Sequence, residues 1–101
     1  MQQERKPLSY DIEYTKAAEK FFEKHEDVRT QYKEALNELL VGDHPEKVDV
    51  KQIKGKRNVY YRIRIGGYRV LYTVIHDKIV VINTILAGNR GDVYKKMDGL
   101  K

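Results

Sequence analysis

Several residue types are missing or rare in this 101-residue sequence, which has no cysteine, no tryptophan, two prolines and one serine, Ser9. Without cysteine the chain can form no disulfide, thiolate metal site or catalytic thiol, and a reducing cytoplasm is the simplest location. The single serine belongs to no nucleophile motif, and no Gly-rich phosphate-binding loop is present. No apolar run approaches the roughly 18 residues that span a membrane, so we expect a soluble protein.

The length fits one domain. Residues 1–8 read MQQERKPL, which lacks the apolar core of a secretory signal, and they are predicted to form a polar tail before a single domain over 9–101. The three histidines occupy separate predicted elements, and no spacing of carboxylates resembles a divalent-metal site. We therefore expect neither a metal nor another cofactor.

Charge is unevenly distributed along the chain. Residues 1–45 hold 7 lysines and arginines and 10 acidic residues, which gives this part a net charge of −3. Residues 46–101 hold 13 lysines and arginines and 5 acidic residues, which gives a net charge of +8. The basic part is expected to face an anion. Nucleic acid, an acidic protein partner or a membrane surface would each match it.

The first half of the domain shows one alternating segment and then two helical ones. Residues 9–15 alternate apolar and polar side chains, which is typical of a half-buried strand. Thr15 is placed to cap a first helix and Asp27 a second, and Gly42 is placed to end the second. The residues that recur at helical spacing are Ala18, Phe21, Phe22 and His25 in the first helix and Val28, Tyr32, Ala35, Leu36 and Leu39 in the second.

From the GDHPEK segment onward the period becomes alternating and predicts four strands in a meander, near 48–54, 59–65, 68–76 and 79–87. Gly66-Gly67 is a strong signal for a hairpin turn of type I′, and Asp77-Lys78 is a weaker turn signal. Asp92 is placed to cap a short C-terminal helical segment. The fold class is therefore α+β: the order β-α-α-β-β-β-β, a mainly antiparallel sheet, and a helical hairpin on one face of a two-layer domain.

The predicted glycine hairpin gathers arginines on one face of the sheet. A two-residue turn sets Arg64 directly opposite Arg69, and Arg62, opposite Leu71, lies on the same face. The other face receives the side chains that can pack on the helices, namely Tyr61, Ile63, Ile65, Tyr68, Val70, Tyr72 and Val74. Because residues 50–76 include no acidic residue, the charge of these arginines is expected to be uncompensated. Guanidinium groups bind phosphate oxygens well, so this face is expected to bind an anion. The alternative is an ordinary solvated sheet face.

The segment AGNRGDVYKK, residues 87–96, carries a second polar group. Gly88 and Gly91 allow a tight turn that returns Arg90 toward the sheet, and a following helical turn would present Tyr94 on the same side. Tyr94 taken alone is more typical of core packing. Together with the hairpin arginines, these residues suit metal-free attack of an RNA 2′-OH on the adjacent phosphate, which needs in-line geometry, charge stabilisation and proton transfer.

The segments IKGKRNVYYRIRIGGYRVLYTV and GNRGDVYKK resemble the RelE/ParE superfamily of type II toxin-antitoxin toxins, and the RelE branch in particular. The resemblance covers about residues 9 to 97 in element order. Its specific parts are the Y-R-I-R-I-G-x-Y-R-V run, the later arginine and the V-Y pair near the end. It implies a ribosome-dependent mRNA endoribonuclease that cuts codons in the ribosomal A site, leaves a 2′,3′-cyclic phosphate and is silenced by a cognate antitoxin.

Carried over position by position, the resemblance implies a catalytic set of Arg62, Arg64, Arg69, Arg90 and Tyr94. The hairpin arginines would clamp the scissile phosphate, Arg90 would assist the leaving 5′-oxygen, and Tyr94 would orient a base or the 2′-OH. Some RelE toxins have lysines in place of Arg62 and Arg64, one of them a proposed general base. Arginine is effectively never deprotonated, so it does not suit that role. Asn89-Arg90 stands where many relatives carry His-Arg, which removes one proton carrier.

Four further basic residues are interpreted as contacts to ribosomal RNA phosphates or, alternatively, as a solvated rim: Lys51, Lys54, Lys56 and Arg57. The antitoxin is expected to supply an acidic, amphipathic segment that covers the basic face or displaces the C-terminal turns. Two other functions stay open. One is inhibition of DNA gyrase by a ParE-like toxin, although ParE proteins lack the complete arginine and tyrosine set. The other is non-catalytic RNA binding on the same fold.

Overall fold

A computed structural model describes residues 9–76 and 79–98 of the chain. Its elements are β1 (Tyr10–Tyr14), α1 (Lys16–Glu23), α2 (Glu26–Val41), a 3-10 helix (Pro45–Lys47), β2 (Val50–Lys54), β3 (Val59–Ile65), β4 (Tyr68–His76), β5 (Val80–Asn89) and α3 (Arg90–Met97). The predicted α+β class is confirmed. The predicted tail over residues 1–8 and the Asp77-Lys78 turn lie outside the described residues. No helix within the described part of the chain combines the length and apolar character needed to cross a membrane.

The sheet has five strands in the order β1-β5-β4-β3-β2. Strands β2 to β5 form the predicted antiparallel meander, and β1 joins its end by pairing parallel to β5. A register shift interrupts the pairing of β4 with β5, because Leu71 pairs with Leu86 while Tyr72 pairs with Thr84. Ile85 is therefore an extra residue on β5, and such a bulge re-aims the side chains that follow it.

Helices α1 and α2 start and stop for identifiable reasons. The Thr15 hydroxyl accepts a hydrogen bond from the Ala18 amide at 3.2 Å, which confirms the predicted cap of α1. The cap predicted for α2 is wrong: α2 begins at Glu26 after His25, which makes no side-chain cap, and Asp27 lies in the first turn. A carboxylate there still interacts favourably with the helix dipole. Gly42 ends α2 as predicted.

The main core lies between the sheet and the helical hairpin. The residues that form it are Ala18, Phe22, Val28, Tyr32, Leu36, Ile63, Ile65, Val70, Tyr72 and Ile82. A buried polar contact in this core joins the Tyr32 hydroxyl to the Thr84 hydroxyl at 2.8 Å, so neither group is buried without a partner. This face of the sheet carries the apolar and aromatic side chains that the hairpin register predicts.

Helix α3 packs on the opposite face of the sheet. Val93 and Met97 form a second, smaller core there with Tyr60 and Leu71. The arginine face is therefore partly covered by a helix, whereas the alternating pattern alone predicts an open platform. The predicted Asp92 cap is also wrong, because the Asn89 side chain caps α3 by accepting a hydrogen bond from the Asp92 amide at 2.9 Å.

Candidate functional site

The β3–β4 hairpin has the register that the sequence predicts. Arg64 pairs with Arg69, and Arg62 pairs with Leu71 on the same face. The turn type differs from the prediction: of its two glycines, both described by the structure, only Gly66 has a positive φ, at 58°. A positive φ at the first central position alone is typical of a type II′ turn, whereas type I′ requires it at both.

The turn backbone offsets part of the repulsion between the opposed arginines. The Gly66 carbonyl accepts hydrogen bonds from Arg64 Nε and from Arg69 Nη1, each at 3.4 Å. Arg69 Nη1 also donates to the Tyr68 carbonyl at 3.2 Å. These contacts hold Arg69 against the sheet, where it is only 9% exposed, while the Arg64 side chain is 56% exposed.

Asp49 overturns the expectation that the arginine charge is uncompensated. Its carboxylate lies 3.1 Å from Arg62 Nη2 and 3.9 Å from Arg64 Nη1. The expectation fails because Asp49 directly precedes β2, one position outside the acid-free stretch 50–76, and the Arg64 amide bonds to its backbone carbonyl at 3.0 Å. Asp49 therefore compensates part of the charge of Arg62 and Arg64.

Tyr94 is the point where α3 meets the hairpin. Its hydroxyl accepts a hydrogen bond from Arg62 Nη1 at 3.2 Å, and the Arg90 guanidinium lies 5.5 Å from the centre of its ring. The hydrogen bond from Arg62 is the main reason that the pKa of Tyr94 lies below its ordinary value near 10. Partial burial acts in the opposite direction, and Arg90 and Arg69 add to the lowering. A lowered pKa makes the phenol better able to exchange a proton near neutral pH.

The five residues of the predicted catalytic set therefore lie together, and we refer to them with Asp49 as the arginine cluster. The structure also explains how Arg90 reaches it. Gly88 pairs with Arg69, Asn89 then caps α3, and Val93 anchors that helix on the sheet. The bulge at Ile85 sets the register of this last stretch of β5.

Two donor groups of the cluster have no partner within the described residues. The Nε atoms of Arg62 and Arg69 are buried without a hydrogen-bond acceptor. Buried donors are ordinarily paired, so these two atoms are exceptions. Both atoms are enclosed by the protein and do not face the solvent.

The four further basic residues do not form one surface. Lys51 pairs with Arg62 and so lies on the arginine face, beside a cleft of about 330 Å³ that Tyr94 also lines. Lys54 pairs with Val59 and therefore points to the other face. Lys56 and Arg57 are exposed in the connection between β2 and β3.

Sequence reasoning missed three features of this site. Asp49 could have been found by starting the charge count at residue 48, where the predicted strand begins, instead of at residue 50. The cap of α3 had a signal in Asn89, since asparagine is among the preferred cap residues. The bulge at Ile85 has no comparable signal, because ILAG reads as an ordinary strand.

Similar proteins bear on this site and fold. The sequence model of the family described as "ParE toxin of type II toxin-antitoxin system, parDE" matches residues 12–91. Two relatives come from Methanocaldococcus jannaschii. The provisionally named toxin RelE1 is 40% identical over 67 residues, 64% of this chain and 71% of that protein. Toxin RelE3 is 44% identical over 50 residues, 50% of this chain and 48% of that protein.

A solved structure shares the fold. The crystal structure of a RelB-RelE antitoxin-toxin complex from Methanococcus jannaschii matches with a TM-score of 0.52 at 22% identity, over 83% of this chain and 96% of that chain. The five-stranded sheet with a helical hairpin on one face is thus the fold of a RelE toxin. The family match over residues 12–91 and the 40% identity to RelE1 go further. The chain belongs to the RelE/ParE superfamily of toxins of type II toxin-antitoxin systems, which confirms the resemblance read from its sequence.

Proposed function

We propose that this toxin is an mRNA endoribonuclease that cleaves its substrate in the ribosomal A site and so inhibits translation. The observation that carries the proposal is the Tyr94 hydroxyl bonded to Arg62, with Arg90 over the same ring. Guanidinium groups aimed at one point stabilise the charge that develops on a phosphate during transfer. A phenol of lowered pKa at that point supplies a group that can move a proton.

The proposed reaction is attack of the 2′-OH on the adjacent phosphate. The 2′-oxygen forms a bond to phosphorus while the bond from phosphorus to the 5′-oxygen breaks, giving a 2′,3′-cyclic phosphate and a 5′-OH. Arg62, Arg64 and Arg69 stabilise the negative charge on the phosphate oxygens. Arginine holds its protons too tightly to act as a base. The phenolate form of Tyr94, which Arg62 stabilises, therefore takes the proton of the 2′-OH, and the leaving 5′-oxygen beside Arg90 takes a proton from water.

The ribosome and the antitoxin are the proposed partners. The solved relative was crystallised as a RelB-RelE antitoxin-toxin complex, which supports an antitoxin for this chain. The net charge of +5 and the exposed Arg64 favour an acidic, amphipathic antitoxin segment. We propose contacts to ribosomal RNA phosphates for Lys51, Lys56 and Arg57. Lys54 points to the other face of the sheet, so its proposed contact is at the sheet edge formed by β2.

The test is to induce the protein in cells and to map the 5′ ends of mRNA. Cuts in phase with codons, bearing 2′,3′-cyclic phosphates on the upstream fragments, are expected for the wild type. Arg90→Ala should abolish them. Lys20→Ala is the matched control, because it removes an exposed cation from α1 on the far face and should leave the cuts unchanged.

Two other outcomes identify the alternatives. The matching family model describes a ParE toxin, so inhibition of DNA gyrase is the second candidate. Altered supercoiling without codon-phased cuts would favour it. Growth inhibition without either effect would favour RNA binding without catalysis, and it would contradict the proposed function.

A further inference from the structure

Asp49 bridges two arginines of the cluster. One carboxylate oxygen lies 3.1 Å from Arg62 Nη2 and the other 3.9 Å from Arg64 Nη1. The hydrogen bond from the Arg64 amide to the Asp49 carbonyl fixes this residue beside β3. A carboxylate with one oxygen toward each guanidinium has the charge and the reach of a phosphate that bridges the same two groups.

We propose that the space taken by the Asp49 carboxylate is the binding position of an RNA backbone phosphate, and that Asp49 is a built-in competitor which this phosphate displaces. The assignment of the phosphate to RNA rests on the proposed function. The competition itself rests only on the contacts of Asp49 with Arg62 and Arg64. It makes Asp49 a determinant of how tightly the cluster binds any phosphodiester.

The Asp49 contacts are weak enough to be displaced. The Asp49 side chain is 53% exposed and that of Arg64 is 56% exposed, and ion pairs in such settings contribute little to stability. The Arg62 side chain is different, because it is only 13% exposed and has a second hydrogen bond, to the Tyr94 hydroxyl, that does not involve Asp49. An incoming phosphate therefore meets one guanidinium held in place and one that is free to adjust.

The position also agrees with the proposed chemistry. Arg62 donates through Nη1 to the Tyr94 hydroxyl and through Nη2 to Asp49. Since both nitrogens belong to one planar group, a phosphate in place of the Asp49 carboxylate lies next to the Tyr94 hydroxyl.

The experiment compares Asp49→Asn with the matched control Asp11→Asn, which removes the same charge from an exposed position on β1. The probe is a fluorescent RNA hexamer with 2′-O-methyl groups, which cannot be cleaved through its 2′-oxygens, and its binding is measured by anisotropy at several salt concentrations. We expect Asp49→Asn to bind roughly two- to fivefold more tightly than Asp11→Asn, the range for a partly exposed ion pair. Its affinity should also fall more steeply with salt.

A double-mutant cycle ties the gain to the bridged arginine. In an Arg64→Gln background the gain from Asp49→Asn should shrink, because one half of the bridge is already gone. Asp49→Ser, a second uncharged replacement, should show the same gain, and thermal unfolding of each variant establishes that it is folded.

Equal binding by Asp49→Asn and Asp11→Asn would overturn the proposal, because the effect would then be one of net charge. Weaker binding by Asp49→Asn would also overturn it and would make Asp49 a residue that positions Arg62. The probe is not cleaved, so these results are independent of whether the protein cuts mRNA. Absence of codon-phased cuts together with a gain for Asp49→Asn would remove the proposed function and keep the competition.

Discussion

The Tyr94 hydroxyl accepts a hydrogen bond from Arg62 Nη1 at 3.2 Å, although 32 positions separate the two residues in the sequence. This contact joins α3 to the β3–β4 hairpin and lowers the pKa of Tyr94. A phenol with a lowered pKa loses its proton in the folded protein at a pH where an unfolded chain still holds it.

Replacing Arg62 should raise the pKa of Tyr94. Arg62→Gln removes the cation that favours the phenolate, so the Tyr94 hydroxyl should titrate closer to the ordinary value near 10. Ultraviolet absorbance of the phenolate as a function of pH measures the change. Subtracting the titration of the same protein with Tyr94→Phe, in the wild type and in Arg62→Gln, isolates Tyr94 from the other seven tyrosines. An unchanged Tyr94 titration in Arg62→Gln would show that the hydrogen bond does not control its ionisation.

Arg90→Ala and Arg69→Ala should separate activity from stability. Loss of one preorganised donor costs on the order of 10² to 10³ in rate, so both variants should lose toxicity in growth assays. Arg90 is exposed, and its variant should unfold like the wild type. Arg69 is buried and bonded to the turn, so Arg69→Ala should also lose roughly 1–3 kcal/mol in denaturant unfolding. Wild-type toxicity of both variants would remove them from the catalytic set.

The buried pair of Tyr32 and Thr84 should behave non-additively. Tyr32→Phe leaves the Thr84 hydroxyl buried without its partner, which should cost about 1–3 kcal/mol of unfolding free energy. Thr84→Val should cost a similar amount. The double variant removes both polar groups and should lose less than the sum of the two losses. Urea unfolding of the four proteins measures the coupling, and strictly additive losses would mean that the hydrogen bond contributes nothing.

The protein should lose stability as the pH rises above about 10. Burial raises the pKa of Tyr72 to about 12 and raises that of Tyr32 further. Both stay neutral in the folded protein while the unfolded chain ionises, so their contribution is complete below pH 10 and is lost as the pH rises toward 12. Urea unfolding at pH 8 and pH 11 measures this loss. It should be smaller in Tyr72→Phe, and an identical loss would refute the burial argument for Tyr72.

The Thr15 hydroxyl should contribute more than an ordinary cap. It accepts from the Ala18 amide and donates to the Ile85 carbonyl at 2.6 Å, which joins the start of α1 to the bulge in β5. Thr15→Ala should therefore cost roughly 1–2 kcal/mol in thermal or urea unfolding. Thr15→Ser keeps the hydroxyl and is the control, and an equal loss in both variants would assign the effect to the missing methyl group.

The parts of the fold that depend on periodicity could be predicted from the sequence. The glycine pair fixes the hairpin register, and this register places Arg64 opposite Arg69. A register shifted by one residue would have placed the arginines on the other face of the sheet. Helix ends are harder to predict, because a cap depends on which of several nearby polar residues adopts the cap conformation. Thr15 was correct, whereas Asp27 and Asp92 each lie inside the first turn of their helices.

The parts of the site that depend on tertiary packing could not be predicted in the same way. The alternation of apolar and polar residues places Leu71 on the arginine face but does not show that it is fully buried. Its burial comes from Val93 and Met97, which belong to a distant segment of the chain. The contact of Arg62 with Tyr94 depends on that docking and on the bulge at Ile85. The resemblance to RelE toxins named both residues, but it did not include Asp49.

The docking of α3 has a consequence for how the protein can be switched. Helix α3 carries Arg90 and Tyr94 and is held on the sheet mainly by the small core around Val93 and Met97. Detaching these eight residues needs only local unfolding, which costs less than unfolding the domain, and the five strands and the main core would stay intact. Under the proposed function, a chain with α3 detached would keep its fold while Arg90 and Tyr94 left the site.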